Sequence, residues 1–267
     1  MVSDLHLGLG AGPGHPAGPL EGSGDGLAGE LVRVARAAEA DTVVVAGDAK
    51  HPIVGTPPAL RPVVFDFFAR VLADGFAAEL VVGNHDVGIV PYLPREVAVH
   101  PATGMVRDGV GIFHGHRWPD ARTLRSEQLV AGHLHPGFRL APTANDPEGK
   151  RRCWVRVEVP EPSRSPRTRP KSPVVRAREV VILPAFNPIA GTEALNRERP
   201  ARGRTFLYRH FLGLGASRAY LLDGTDLGPL LIAPGASPRS RARTRVLSDP
   251  RRAEHSSFRN KRAPAAP

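Results

Sequence analysis

The apolar positions of this chain fall into two rhythms. Continuous apolar runs ending in polar residues occur at "DTVVVAGD" (Asp41–Asp48), "ELVVGNHD" (Glu79–Asp86), "GVGIFHGH" (Gly109–His116) and "QLVAGHLH" (Gln128–His135). A short unbroken run of this kind predicts a strand covered on both faces. Interleaved with them, "GLAGELVRVARAAEA" (Gly26–Ala40) and "LRPVVFDFFARVLADG" (Leu60–Gly75) carry apolar residues at helical spacing. Strands alternating with helices predict a largely parallel sheet with covered faces. After residue 150 the helical pattern stops. "RRCWVRVEV" (Arg151–Val159), "REVVILPAF" (Arg178–Phe186), "RAYLLDG" (Arg218–Gly224) and "GPLLIA" (Gly228–Ala233) follow as strands. They predict a second sheet laid against the first, in a layered α/β/β/α sandwich over residues 1–234. Residues 160–176, around "PEPSRSPRTRPKSP", are expected to form a flexible basic insertion, and residues 235–267, which lack periodicity, a disordered basic tail.

Charge adds one distinction to this picture. The formal balance over 267 residues is +10, but residues 150–178 carry ten Lys/Arg against two Glu, and residues 236–267 carry nine against two acids. These two segments supply +8 and +7, which leaves the remainder mildly acidic at about −5. Such Pro/Ser/Arg-rich stretches can grip a phosphate backbone, yet they say nothing about the folded body. One cysteine, Cys153, excludes an internal disulfide. No window approaches a membrane-spanning apolar run, and no charged segment followed by an apolar one opens the chain. The expectation is a cytoplasmic protein with no membrane partner.

The polar strand ends carry the chemistry. In sheets of this kind ligands bind outside the carboxyl ends of the strands. Five clusters fall there: Asp4 and His6 in "SDLHLG", Asp48 in "AGDAKH", Asn84 and His85 in "GNHD", His114 in "FHGH", and His133 and His135 in "AGHLH". Each alone is an ordinary turn. Together they collect carboxylate, amide and imidazole groups at successive strand ends, which five unrelated turns would not do. Such donors suit Mn, Fe, Zn or Ni better than copper(I) or an iron–sulfur cluster. One carboxylate can bridge two cations about 3.5–4 Å apart, and such pairs activate water while neutralising a phosphoryl group. Lys50 and His51 follow Asp48, either as a solvated loop or as phosphate contacts, and Arg117 is a similar candidate.

The ordered set Asp-x-His, Gly-Asp, Gly-Asn-His-Asp, His-Gly-His and Gly-His-x-His resembles the calcineurin-like metallophosphoesterase superfamily over residues 1–233. The fuller strings "SDLHLG", "GDAKH", "HGHRWP", "GHLHPG" and "LPAFNPIAG" (Leu183–Gly191) resemble a narrower group, the stand-alone prokaryotic phosphoesterases that include PdeM-type, ligase-associated DNA-damage-response endonucleases. The resemblance implies two divalent metal ions, Mn first, with Fe, Zn, Ni or Mg as alternatives. Asp4, His6 and His135 would hold one; Asn84, His114 and His133 the other; Asp48 would bridge both. His116 is the alternative to His114. His85 would stand near the leaving-group oxygen as proton donor or charge stabiliser, with Asp86 hydrogen-bonding its imidazole and setting the tautomer.

The implied activity is phosphate-ester hydrolysis, foremost by a phosphodiesterase or endonuclease acting on DNA in a repair context. A small-nucleotide diesterase or phosphomonoesterase is the enzymatic alternative, and a metal-binding interaction scaffold the non-enzymatic one. The implied partners are a nucleic acid or nucleotide phosphate ester and, functionally, a DNA ligase or helicase. One departure stands out. Only Met1, Val2 and Ser3 precede Asp4, where members of the superfamily run several apolar residues. The expectation is a start upstream of Met1 or a fragment, with a weakly paired first strand.

Overall fold

Apolar residues recurring at three- and four-residue steps give a helix one buried stripe. Gly24–Ala37 (α1) buries Leu27, Ala28, Leu31, Val32 and Ala35, and Leu60–Ala73 (α2) buries Leu60, Val64, Phe67, Phe68 and Val71. Both stripes lie on a three-stranded parallel sheet ordered β1 (Thr42–Val45), β2 (Ala77–Val81), β3 (Ala98–His100). Parallel neighbours need a crossover, and α2 supplies it between β1 and β2. The computed structural model describes residues 1–10, 24–142, 149–160, 175–196 and 206–230. Residues 161–174 of the expected insertion, the tail from residue 235, and residues 231–233 of the last expected strand lie outside them.

The second sheet contains β4 (Met105–Arg107), β5 (Val110–Phe113), β6 (Gln128–Ala131), β7 (Pro136–Arg139), β8 (Lys150–Glu158), β9 (Glu179–Ile182), β10 (Glu193–Ala194), β11 (Ala216–Leu221) and β12 (Asp226–Leu230). Its order is β10-β7-β8-β9-β6-β5-β4, with β11 paired to β8 and β12. Successive strand residues face opposite sides, and this alternation explains the layers. Val44, Ala46 and Val81 of the first sheet meet Ile112, Val130 and Leu183 of the second in an apolar layer between them. Their neighbours Phe113, Leu129, Ala131, Val180 and Ile182 turn outward, where Leu207 of α3 (Phe206–His210) and the following Phe211 and Leu212 cover them. The layers run helices, sheet, sheet, helix, which is the expected α/β/β/α sandwich.

Two expectations change. The runs at Gly109–His116 and Gln128–His135 belong to the second sheet, so that sheet begins well before residue 150. Only a 3-10 turn, Thr123–Arg125, lies between β5 and β6, and their outer cover comes from the later α3. A run buried on both faces has the same pattern in either sheet, so periodicity cannot assign it. The second sheet is also mixed: β5, β6 and β9 run parallel, while β4, β8 and β11 oppose their neighbours. The segment before and after Asp4 follows β1 and the loop beyond it. Val2 N–H donates to the Val44 carbonyl at 2.9 Å, Asp4 N–H to Gly47 at 3.0 Å and His6 N–H to Asp48 at 2.9 Å, with Leu5 and Leu7 fully buried. Among the described residues no helix is long and apolar enough to cross a membrane.

Candidate metal centre

Every polar strand end arrives at one place. The N-terminal segment brings Asp4 and His6, the loop after β1 brings Asp48, and the loop after β2 brings Asn84 and His85. His114 follows β5, and His133 and His135 lie between β6 and β7. First-sheet and second-sheet loops therefore meet over the carboxyl ends of both sheets. Three groupings of described residues could hold a metal ion: Asp4, His6 and His135; Asp48, His114 and His133; and His6, His51 and His85, which reuses His6.

Each carboxylate is anchored to the backbone through one oxygen and turns the other toward the imidazoles. Asp4 Oδ2 accepts from the His133 N–H at 2.9 Å and from the Ser3 hydroxyl. Its Oδ1 is buried with no aligned hydrogen-bond donor, 3.1 Å from His135 Nε2 and 3.9 Å from His6 Nε2. Asp48 Oδ1 accepts from the His85 N–H at 2.8 Å. Its Oδ2 lies 3.1 Å from His114 Nε2, 4.0 Å from His6 Nε2 and 3.8 Å from His85 Nε2, and so stands between the two ligand groups. Asn84 Oδ1 is 3.2 Å from His114 Nε2.

The imidazoles converge nitrogen to nitrogen. His6 Nε2 and His135 Nε2 are 3.2 Å apart, as are His133 Nδ1 and His114 Nε2. Two such nitrogens repel lone pair to lone pair unless a proton or a cation lies between them. Donors bound at about 2.0–2.2 Å to one ion span roughly this separation. The orphaned Asp4 oxygen and the paired imidazoles thus fit divalent cations. Burial above all pulls His6 and His133 down to about 4, which leaves them neutral donors at pH 7. Burial opposes a charge on His114 too, but the adjacent Asp48 carboxylate outweighs it and pushes that imidazole up to about 9. Its Nδ1 donates to the Ala46 carbonyl at 2.9 Å, which leaves Nε2 facing the site.

The backbone is strained where the ligands sit. Of the seven non-glycine residues with positive φ among the described residues, five are Asp4 (58°), His6 (44°), Asp48 (54°), His133 (69°) and His135 (47°). Left-handed backbone costs a residue with a side chain about 1–2 kcal/mol, and such outliers gather where the surrounding structure imposes a function. Two glycines make the close approach possible. A Cβ on Gly83 would stand 2.2 Å from Asp48 Oδ1, and one on Gly47 would stand 2.4 Å from His114 Nδ1.

Several expected roles change. Asp86 does not reach the His85 ring. It is 1% exposed and accepts from the backbone N–H groups of Gly83 and Ala49 at 2.9 Å and of Lys50 at 3.3 Å. Three amide donors at a loop crossing satisfy the carboxylate, and the His85 Nδ1–H instead goes to the His51 carbonyl. Lys50 is neither a solvated side chain nor a contact open to substrate, because it is 0% exposed with its ammonium on the carbonyls of Pro52 and His85. His51 stands beside the candidate ligands, its Nδ1 3.4 Å from His6 Nδ1 and its ring stacked on that of His85. Arg117 is exposed. His116 is half-buried, its ring centroid 5.4 Å from that of His114, and it joins none of the three metal groupings. Sequence reasoning missed the support from "FNPIAG": the buried Asn187 donates to the Leu5 carbonyl at 2.8 Å, and the Ala190 carbonyl accepts from His135 Nδ1 at 3.3 Å. Only the polar Asn in an otherwise apolar loop hinted at it.

No protein-family model matches the chain, and no curated protein matches it. Among solved structures, the crystal structure of Pseudomonas putida nuclease MPE is similar, with a TM-score of 0.52 at 21% identity, covering 86% of this chain and 86% of that one. The likeness is one of fold. It extends the layered α/β architecture over most of both chains, while the metal centre rests on the residues described above.

Proposed function

We propose that this protein is a metal-dependent phosphoesterase, foremost a nuclease or phosphodiesterase acting on a DNA strand. The observation that carries this reading is Asp48: one oxygen is tied to the backbone, and the other lies between two ligand groups and 3.8 Å from a half-buried His85. Asp4, His6 and His135 would hold one ion, and Asn84, His114 and His133 a second, with Asp48 bridging. Such ions would supply Lewis acidity at the phosphoryl oxygens and acidify a water.

The chain's own part falls to His85. With its Nδ1–H given to the His51 carbonyl, Nε2 bears a proton only in the imidazolium form. That proton completes the leaving alcohol as water's oxygen bonds to phosphorus and the ester P–O bond breaks. The nuclease activity of the fold neighbour and the Lys/Arg-rich stretches favour a polyanionic strand over a small nucleotide. A cytoplasmic repair setting beside a ligase or helicase is the finer form of the same proposal.

The test compares a chromogenic phosphodiester, a phosphomonoester and single-stranded DNA in Mn²⁺, using wild type, Asp48→Asn and His85→Ala. Diester and DNA cleavage are both expected to be lost in Asp48→Asn, whereas His85→Ala should reduce DNA cleavage about 10²–10⁴-fold and the chromogenic diester, whose leaving group needs no proton, far less. Monoester turnover alone would make the protein a phosphatase, and no turnover by the Mn²⁺-loaded wild type would refute the enzyme reading.

A further inference from the structure

Lys50 is among the largest fully buried side chains of the described residues; its ammonium bonds two backbone carbonyls, and the Asp86 and Asp48 carboxylates favour its charge from nearby. Burying a charge is costly unless hydrogen bonds replace the lost water. Here the carbonyls of Pro52 and His85 do so. The contact is one half of an exchange. Asp86, from the loop after β2, holds the backbone N–H groups of Ala49 and Lys50, while Lys50, from the loop after β1, holds the backbone carbonyl immediately before Asp86. A third tie closes the ring, because His85 Nδ1 donates to the carbonyl of His51, which lies between Lys50 and the Pro52 that its ammonium holds. The His85 main chain and the acceptor for its side chain are thus set by one buried ammonium.

We infer that Lys50 is a positioning residue that holds loop 50–52 against His85, and so sets the tautomer of that imidazole and the aim of Nε2. The inference rests on the proposed role of His85 and assigns Lys50 no contact with substrate. Lys50→Met keeps the length and apolar stem but removes all three donors, which frees the His85 and Pro52 carbonyls and lets the His51 carbonyl drift from Nδ1.

A proton donor matters most for a leaving oxygen that cannot depart as an anion. The test therefore compares an oligonucleotide with a p-nitrophenyl phosphodiester, whose leaving group needs no proton, using the Mn²⁺-loaded full chain. Lys50→Met is expected to lower kcat on the oligonucleotide about 10–100-fold with KM unchanged, the size of loss a small misplacement produces. On the nitrophenyl ester the loss stays below about 3-fold, because the proton transfer is not called on there. Adding Lys50→Met to His85→Ala costs nothing further, since both remove the same function. Equal losses on both esters, additive losses in the double variant, or an unchanged oligonucleotide rate would each overturn the inference.

A second readout is independent of turnover. Nitrogen NMR of the metal-free protein should find His85 protonated at Nδ1 in wild type and shifted toward Nε2 in Lys50→Met. An unchanged ring spectrum overturns the inference. If the wild type hydrolyses neither ester, the phosphoesterase reading falls and this comparison still decides the role of Lys50. Should Lys50→Met fail to fold, Lys50→Leu, which likewise removes every donor, carries the same comparisons, and Lys50→Gln, which retains an amide donor, should restore part of the oligonucleotide rate; a Lys50→Gln rate no better than that of the donor-free variant counts against the inference.

Discussion

The Asp48–His114 pair makes the metal-free protein lose stability as pH rises, and the size of the loss follows from the structure. The two groups are fully or almost fully buried, 3.1 Å apart. The carboxylate raises His114 from an ordinary 6.5 to about 9 against the opposing effect of burial. Each pH unit of such a difference is worth about 1.4 kcal/mol, so the pair contributes on the order of 3 kcal/mol. Because the folded value is the higher one, this contribution is complete below pH 6.5 and disappears as pH climbs through 9. His6 and His133, pulled down to about 4, complete their own contribution by pH 6.5 and stay flat in this window. The buried Cys153 thiol, pushed up to about 12, weighs only at still higher pH. The assay is urea denaturation with a chelator present, followed by tryptophan fluorescence from pH 6 to 9, on wild type and Asp48→Asn. Wild type should lose about 3 kcal/mol more than the variant across that range. Parallel stability profiles for the two proteins would refute the pairing. Excess Mn²⁺ should reverse the slope, because the ion displaces the His114 proton and binds more tightly as pH rises.

Other expected outcomes are more direct. Gly83→Ala places a methyl group 2.2 Å from Asp48 Oδ1; it should destabilise by about 1–3 kcal/mol and lower Mn²⁺ affinity, measured by calorimetry. Asp86→Asn trades a full acceptor for an amide facing three backbone N–H groups, and should cost about 1–3 kcal/mol in chemical denaturation. His114→Ala should lower bound metal measured by elemental analysis, whereas His116→Ala leaves it unchanged; the opposite pattern would exchange their roles. Mn²⁺ at a hundred times its Kd should raise stability by about 2.7 kcal/mol, visible as a higher melting temperature than in chelator.

The candidate metal centre was legible in the sequence because its donors are chemically distinctive and end apolar runs. Asp4, His6, Asp48, Asn84, His114, His133 and His135 do converge. The supporting shell was hidden for the opposite reason. The carbonyls of His51, Ala46 and Ala190 are present in every residue, and only the folded path aims them at a ring nitrogen. Lys50 and Asp86 misled because charged residues in polar loops are usually solvated, whereas here each finds backbone partners across the crossing of two loops. The two helices and the sandwich followed from periodicity, while the sheet to which β5 and β6 belong depended on the pairing of β6 with β9, 51 residues further along the chain.

The apolar layer between the sheets has a consequence beyond holding them together. Asp4, His6, Asp48 and Asn84 ride on the first sheet's side, and His114, His133 and His135 on the second's, so the gap across the centre is the gap between the layers. Val44, Ala46, Val81, Ile112, Val130 and Leu183 act as its spacer. Trimming one methylene there, as in Ile112→Val, alters no ligand, yet it resets the separation of the two donor sets like a shim under a vice. Selectivity among ions of different radius would therefore be adjustable from apolar side chains that are not themselves candidate ligands.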